Sequence, residues 1–179
     1  MREGCLTNQG DRSRPEPWLR GTHAEVPAVA RGVLHALELA QEDLHRWCSS
    51  LSGEQLHMKP GGVPSLAFQL RHIAGSVDRL LTYAEGNSLT DVQLQALKTE
   101  SEVAGGASEL LAQIDATLAR ASQRVRALAC QDLAAQRSVG KEQLPTTLGG
   151  LLVHIADHTQ RHVGQAVTTA KLVSASKIF

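Results

Sequence analysis

The sequence predicts an all-α protein, a four-helix bundle with a long crossover connection that contains a short extra helix. Three observations predict it. Four stretches of about 20 residues or more carry apolar side chains at three- and four-residue spacing, the mark of a helix with one face turned to a core. No stretch shows the sustained alternation of a half-buried strand. The longest linkage between two of the helices, Gly86 to Gly106, has a short helical pattern of its own and suits a passage from one half of a bundle to the other.

The elements follow in order. Residues 1–25 have no helical period and contain Gly10, Pro15, Pro17 and Gly21, so they read as a flexible arm preceding one bundle domain at 26–179. Trp18 and Leu19 are expected to pin that arm to the body. The first helix is expected over Val26–Cys48, with Val33, Leu37, Ala40 and Leu44 on its stripe and His35 and His45 off it, at the surface. Ser49–Pro64, with Gly53, Pro60, Gly61 and Gly62, reads as a loop that holds His57. Ser65 is a good N-cap for a second helix that stops at Gly86 and Asn87, and its apolar line runs through Leu66, Leu70, Ile73, Val77 and Leu81. The short extra helix covers Thr90–Glu100. A third long helix runs over Ala107–Ala129, its charged residues Glu109, Asp115, Arg120, Arg124 and Arg126 forming a solvated face, and 130–145 is a polar loop. Pro145, Thr146 and Thr147 then start the last helix, which ends near Val173.

At 179 residues the chain fits a single bundle with a substantial core. Its 18 basic and 18 acidic residues cancel, which argues against a nucleic-acid partner, since such a surface needs concentrated Lys and Arg. No apolar run approaches the roughly 20 residues that span a bilayer, and the opening residues lack the apolar core of a secretory signal. A cytoplasmic protein without a membrane partner is expected. Cys5, Cys48 and Cys130 are odd in number and not in CxxC form, so neither a disulfide framework nor a cysteine zinc cluster is suggested.

The chemistry concentrates on the last helix, where His154, His158 and His162 are spaced four apart. A step of four turns a helical side chain by about 40° and lifts it about 6 Å, so two such imidazoles can grip one ion. With Leu148 as origin, Leu151, Leu152, Ile155 and Val163 mark the core side; His162 lies about 40° from it, His158 about 80° and His154 about 120°. The inward pair is therefore His158 and His162, with His154 on the rim. The glutamate of HExxH is missing, which argues against a zincin-type protease. On the second helix a more polar line, Gln69, His72, Ser76 and Tyr83, flanks the apolar stripe, and His72 is the candidate third ligand.

The segments FQLRHIAGSVDRLLTYAEG and LPTTLGGLLVHIADHTQRHVGQAVTTAK, in that order, resemble the DinB/YfiT-like family of metal-binding four-helix bundles, over roughly Val26 to Val173. The resemblance implies that His72, His158 and His162 hold a divalent metal, zinc or nickel. The stretch HVGQ is similar to the family's HRGQ, with Val163 in place of the arginine and Arg161 nearby. Three imidazoles leave positions open for water or substrate, the layout of catalytic rather than structural zinc. Because the family includes enzymes that use low-molecular-weight thiols, the implied function is a metal-dependent thiol S-transferase or isomerase, in which a metal-bound thiolate attacks a small electrophile. Arg71, Arg79, Arg161 and Gln165 are the candidate contacts for the thiol cofactor. Alternatives are a hydrolase using bound water, with Asp78 or Glu85 as general base, and a non-catalytic metal-stabilised stress-response or interaction module. A homodimer is also expected, from the resemblance and from the prevalence of two-fold dimers among soluble oligomers.

Overall fold

The computed structural model of the chain describes residues 14–102 and 105–175. Its helices are α1 (Ala28–Cys48), α2 (Gly53–His57), α3 (Leu66–Ala84), α4 (Asp91–Thr99), α5 (Ala107–Leu128) and α6 (Leu148–Ala175), with one antiparallel hairpin of β1 (Gln136–Val139) and β2 (Leu144–Thr147) between α5 and α6. The expected four long helices are present, and the fold is all-α apart from that hairpin.

The helix directions follow from the side chains that meet. Gln160 donates to the Ala36 carbonyl and the Lys171 ammonium lies 4.5 Å from the Trp47 ring, so α1 and α6 run parallel. Arg126 near the end of α5 reaches Glu25 ahead of α1, while Asp115 nearer the start of α5 meets His45 near the end of α1, so these two are antiparallel. Arg124 joins Glu85 and Asp78 on the last turns of α3, which makes α3 and α5 parallel. Parallel neighbours need a long link, and the segment carrying α4 supplies it. Each of α1 and α3 packs against both α5 and α6. Leu37, Leu44, Leu70, Ile73, Leu81, Ile114, Leu152 and Ile155 fill the space between, each at most 1% exposed.

Several local signals act as the sequence suggests. The Ser65 hydroxyl accepts from the Phe68 amide at the start of α3, and Gly86 ends that helix at φ +83°, a left-handed value that suits glycine. The Thr147 hydroxyl accepts from the Gly150 amide to cap α6.

Other expectations need correction. α1 begins at Ala28, behind Pro27, rather than at Val26. The expected loop before α3 contains α2, closed by a capping box between Ser52 and Gln55, and His57 is its last residue. The expected polar loop at 130–145 pairs as the hairpin, whose Arg137 donates to the Ala84 carbonyl at the end of α3. Trp18 and Leu19 do not pin the arm, being 62% and 58% exposed. Arg20 does, through both oxygens of Glu42, and the part of the arm before residue 14 lies outside the described residues. His35 is buried rather than at the surface, its Nε2 3.2 Å from the Thr22 carbonyl. The charged residues of α5 form interhelical ties as well as a solvated face: Asp115 accepts from Gln41, and Arg124 grips α3. No described helix is long and apolar enough to cross a membrane.

Candidate metal centre

α3 and α6 run antiparallel along one seam, with Gln69 beside Gln165 and His162, and His72 beside His158. The seam brings together the three histidines expected as ligands. His72, His158 and His162 each offer a ring nitrogen, and the three nitrogens lie within 4.8 Å of one another. The ring centroids are 4.4 Å apart for His72 and His162, 4.5 Å for His158 and His162, and 5.4 Å for His72 and His158. Apolar burial sets this placement. Ile73 and Val77 on α3 and Ile155 and Val163 on α6 are at most 2% exposed, and holding them in the core fixes the rotation of both helices.

Two of the rings are fixed by acceptors behind them. His72 Nδ1 is 2.8 Å from Glu100 Oε2, and His162 Nδ1 is 3.0 Å from Gln69 Oε1. An acceptor at Nδ1 places the proton there, which leaves the Nε2 lone pair of both rings available to an ion. Phe68 stacks on the His72 ring at 5.5 Å and limits its tilt. His158 differs in that its Nδ1 is buried without a hydrogen-bond partner. Orphaned buried nitrogens are uncommon, and a bound ion or water is one usual reason for them. Burial, followed by the nearby His162, His72 and His154, lowers the His158 pKa to about 4. The ring is therefore neutral at pH 7, the form in which imidazole ligates. His154 is exposed, with its ring 5.3 Å from that of His158, as expected for a rim residue.

Sequence reasoning missed the support behind His72. Glu100, the C-cap of α4, is 6% exposed, and its other oxygen lies 2.7 Å from Arg79 Nη1, an ion pair close in distance but not aligned as a hydrogen bond. Burial raises the Glu100 pKa, but the hydrogen bond from His72 and the adjacent positive charge of Arg79 outweigh that and hold it below the ordinary value. Gly75 makes room for this pair, since a Cβ there would come within 2.6 Å of both Arg79 Nη1 and Glu100 Oε1. An interior helical glycine one turn from His72 is the signal that marked the spot.

Of the residues expected to contact a thiol, Arg161 and Gln165 line one cavity beside the seam. Arg79 is held by Glu100, and Arg71 bonds the Glu102 carbonyl. The two carboxylates considered as hydrolytic bases, Asp78 and Glu85, are both engaged by Arg124 on the α5 side of α3.

Gly75→Ala would ordinarily favour a helix by about 1 kcal/mol. Because the added methyl meets only the tips of two side chains, the fold is expected to survive while the ion pair shifts and takes Glu100 away from His72. Zinc affinity is then expected to fall about 10- to 100-fold, the usual cost of losing an outer partner. A competitive chelator titration reads it, and unchanged affinity would show that Glu100 does not support His72.

Burial pushes the pKa of metal-free His158 down to about 4 in the folded chain, from the ordinary 6.5. Between those values the unfolded chain binds a proton that the native chain refuses, so stability falls as pH drops through that window and levels off below it. The loss is on the order of 1–3 kcal/mol after allowing for solvent screening. Urea unfolding of metal-free protein at pH 7 and pH 4.5 measures it, with His158→Leu expected to show a smaller change; an equal change in both would remove His158 as the cause.

A second cluster, His23, His35 and Glu38, also brings three such groups within 4.8 Å. Its members are already occupied: Glu38 lies 2.6 Å from His23 Nε2, and Arg126 lies 2.6 Å from His23 Nδ1. We read it as the tie between the arm, α1 and α5.

The family model of the DinB superfamily matches residues 36–166, most of the chain, and spans all three histidines of the seam. A search of curated proteins found no match.

Proposed function

The chain belongs to the DinB superfamily, and on that premise we propose that it is a metal-dependent thiol S-transferase or isomerase acting on a small electrophile. The observation that carries the reading is the three-nitrogen cluster of His72, His158 and His162. Three ligands leave at least one position open, and imidazole nitrogens suit zinc or nickel. A divalent ion held there would lower the pKa of an attached thiol, which otherwise sits near 8.5, so that the thiol reacts as its conjugate base at neutral pH.

The chain's own residues prepare the site. Glu100 and Gln69 hold the Nδ1 protons of His72 and His162 away from the cluster. Burial keeps His158 uncharged. The ligands themselves are neutral, so the full charge of an ion remains to stabilise an anionic sulfur. Hydrolysis has less support, because Arg124 occupies both Asp78 and Glu85.

The test is thiol consumption in the presence of a haloaromatic or an epoxide, compared among zinc- or nickel-loaded protein, metal-free protein and His158→Ala. Loaded protein is expected to exceed the other two by at least about 100-fold, since chemistry confined to the ion disappears with it. Equal rates in all three across the common bacterial thiols would overturn the proposal.

A further inference from the structure

We infer that α4 is a lid on the cavity beside the histidine cluster, and that an ion on the cluster holds the lid down through His72 and Glu100. The inference deepens the metal-centre reading and rests on an ion at those three histidines, whichever reaction the ion serves.

α4 is a helix without a core face. None of its residues is buried, only Gln93 and Thr99 are partly so, and Val92, Leu94 and Leu97 are 79%, 36% and 44% exposed. Against α3 and α5 it leaves a cavity of about 440 Å³, lined by Ala96 and Thr99 from α4, Ala74 and Gly75 from α3 and Gln113 from α5 among others. A helix of nine residues is marginal in water by itself, and most helices in proteins are held by the burial of an apolar face. α4 lacks that support, so its order depends on what ties its ends.

Both ties are polar, and both end on α3. At the start, Gln93 Oε1 completes the capping box with Thr90, while Gln93 Nε2 donates to Asp78 Oδ2 at 2.6 Å and to Thr82 Oγ1 at 2.8 Å. At the far end, Glu100 accepts from His72 Nδ1 at 2.8 Å and pairs with Arg79, and Arg71 donates to the Glu102 carbonyl. The second tie runs through a metal ligand; the first does not. Between them, Leu97 and, just ahead of the helix, Leu89 line the cavity of about 220 Å³ whose wall includes His72 and His158. Lifting α4 therefore opens the flank of the cluster to solvent, and docking it narrows the way in.

The coupling follows from the two nitrogens of an imidazole. In the metal-free chain the proton of neutral His72 has two places to sit, and only the Nδ1–H form donates to Glu100. An ion on Nε2 leaves Nδ1–H as the sole form, so the ion selects the state that holds Glu100, and with it the end of α4. Linkage is reciprocal: the factor by which docked Glu100 tightens the ion is the factor by which the ion favours docking. Outer partners of a ligand contribute about 10- to 100-fold to metal affinity, so a shift of that size in α4 docking is expected.

Hydrogen exchange followed by mass spectrometry reads docking without turnover. Peptides covering α4 are compared in the metal-free and the zinc-saturated full chain, with zinc content measured on the same samples. Zinc is expected to slow α4 exchange by about tenfold or more. In Arg79→Met with Glu100→Leu, saturated with zinc, the slowing is expected to fall below about twofold, because the link to His72 is cut while no buried charge is stranded. Gln93→Ala removes the other tie and no ligand contact; it is expected to speed α4 exchange a few-fold with and without zinc, and to keep the zinc response.

Zinc bound at about one ion per chain with no slowing of α4, or with equal slowing in the double variant, would overturn the lid and leave the metal centre standing. No zinc bound at saturation would overturn both.

Discussion

Replacing His162 by alanine is expected to reduce zinc or nickel affinity by well over 100-fold, whereas His154→Ala should cost less than about tenfold. Both residues sit on α6, two turns apart, and sequence spacing alone makes either a partner for His158. Their surroundings separate them. His162 is edge-on to His72 at 4.4 Å and is oriented by Gln69, while His154 is exposed, with its ring 5.3 Å from that of His158. Losing one of three ligands removes a bond and the chelate geometry together; losing a rim imidazole removes at most an outer contact. The preceding measurement is elemental analysis after chelator-free purification, expected to give about one ion per chain. Equal losses for the two variants in a chelator competition would mean that the ion, if bound, does not sit where α3 and α6 converge.

The sequence made this seam legible because two different periodicities coincide on it. The four-residue step of His154, His158 and His162 overlaps the apolar stripe of Ile155 and Val163, so the wheel alone put His154 on the rim, and the structure leaves His154 exposed with His158 and His162 partly buried. Ser65 and Gly86 bounded α3 for local reasons that need no tertiary context. The hairpin was not legible for the opposite reason. Its strands are four residues long, mostly polar and only partly buried, and their pairing depends on where Arg137 meets the end of α3. His35 misled because it lies off the stripe of α1, yet the returning arm covers it through Thr22. Glu100 was hidden by distance along the chain, since it stands 28 residues from His72 at the end of a short helix with no buried residue of its own. What the helix wheel reports is which face turns inward; it does not report which distant side chain will stand behind that face.

That hidden residue gives the other large effect. Glu100→Ala is expected to destabilise the protein by about 3–5 kcal/mol, the range for breaking a buried ion pair, because it leaves the Arg79 guanidinium, 8% exposed, without its carboxylate. Removing both charges should behave differently. In Arg79→Met with Glu100→Leu no buried charge is left unpaired, so most of that stability is expected to return, as it does when buried pairs are replaced by apolar groups of similar volume. Metal affinity should not return, because His72 Nδ1 has lost its acceptor in both variants. Glu100→Gln supplies the remaining contrast: its carboxamide oxygen still accepts from His72, so affinity is expected to stay within about tenfold of the unaltered protein while the loss of charge still costs stability. Urea unfolding of metal-free protein at pH 7 reads the first quantity and chelator competition the second. The pH matters, because a carboxyl whose folded pKa is depressed contributes its stability above its unfolded value, near 4.5, and loses it as pH falls through the folded value. If the double variant recovers affinity together with stability, Glu100 acts only through Arg79 and the fold, and has no part in aiming His72 at the ion.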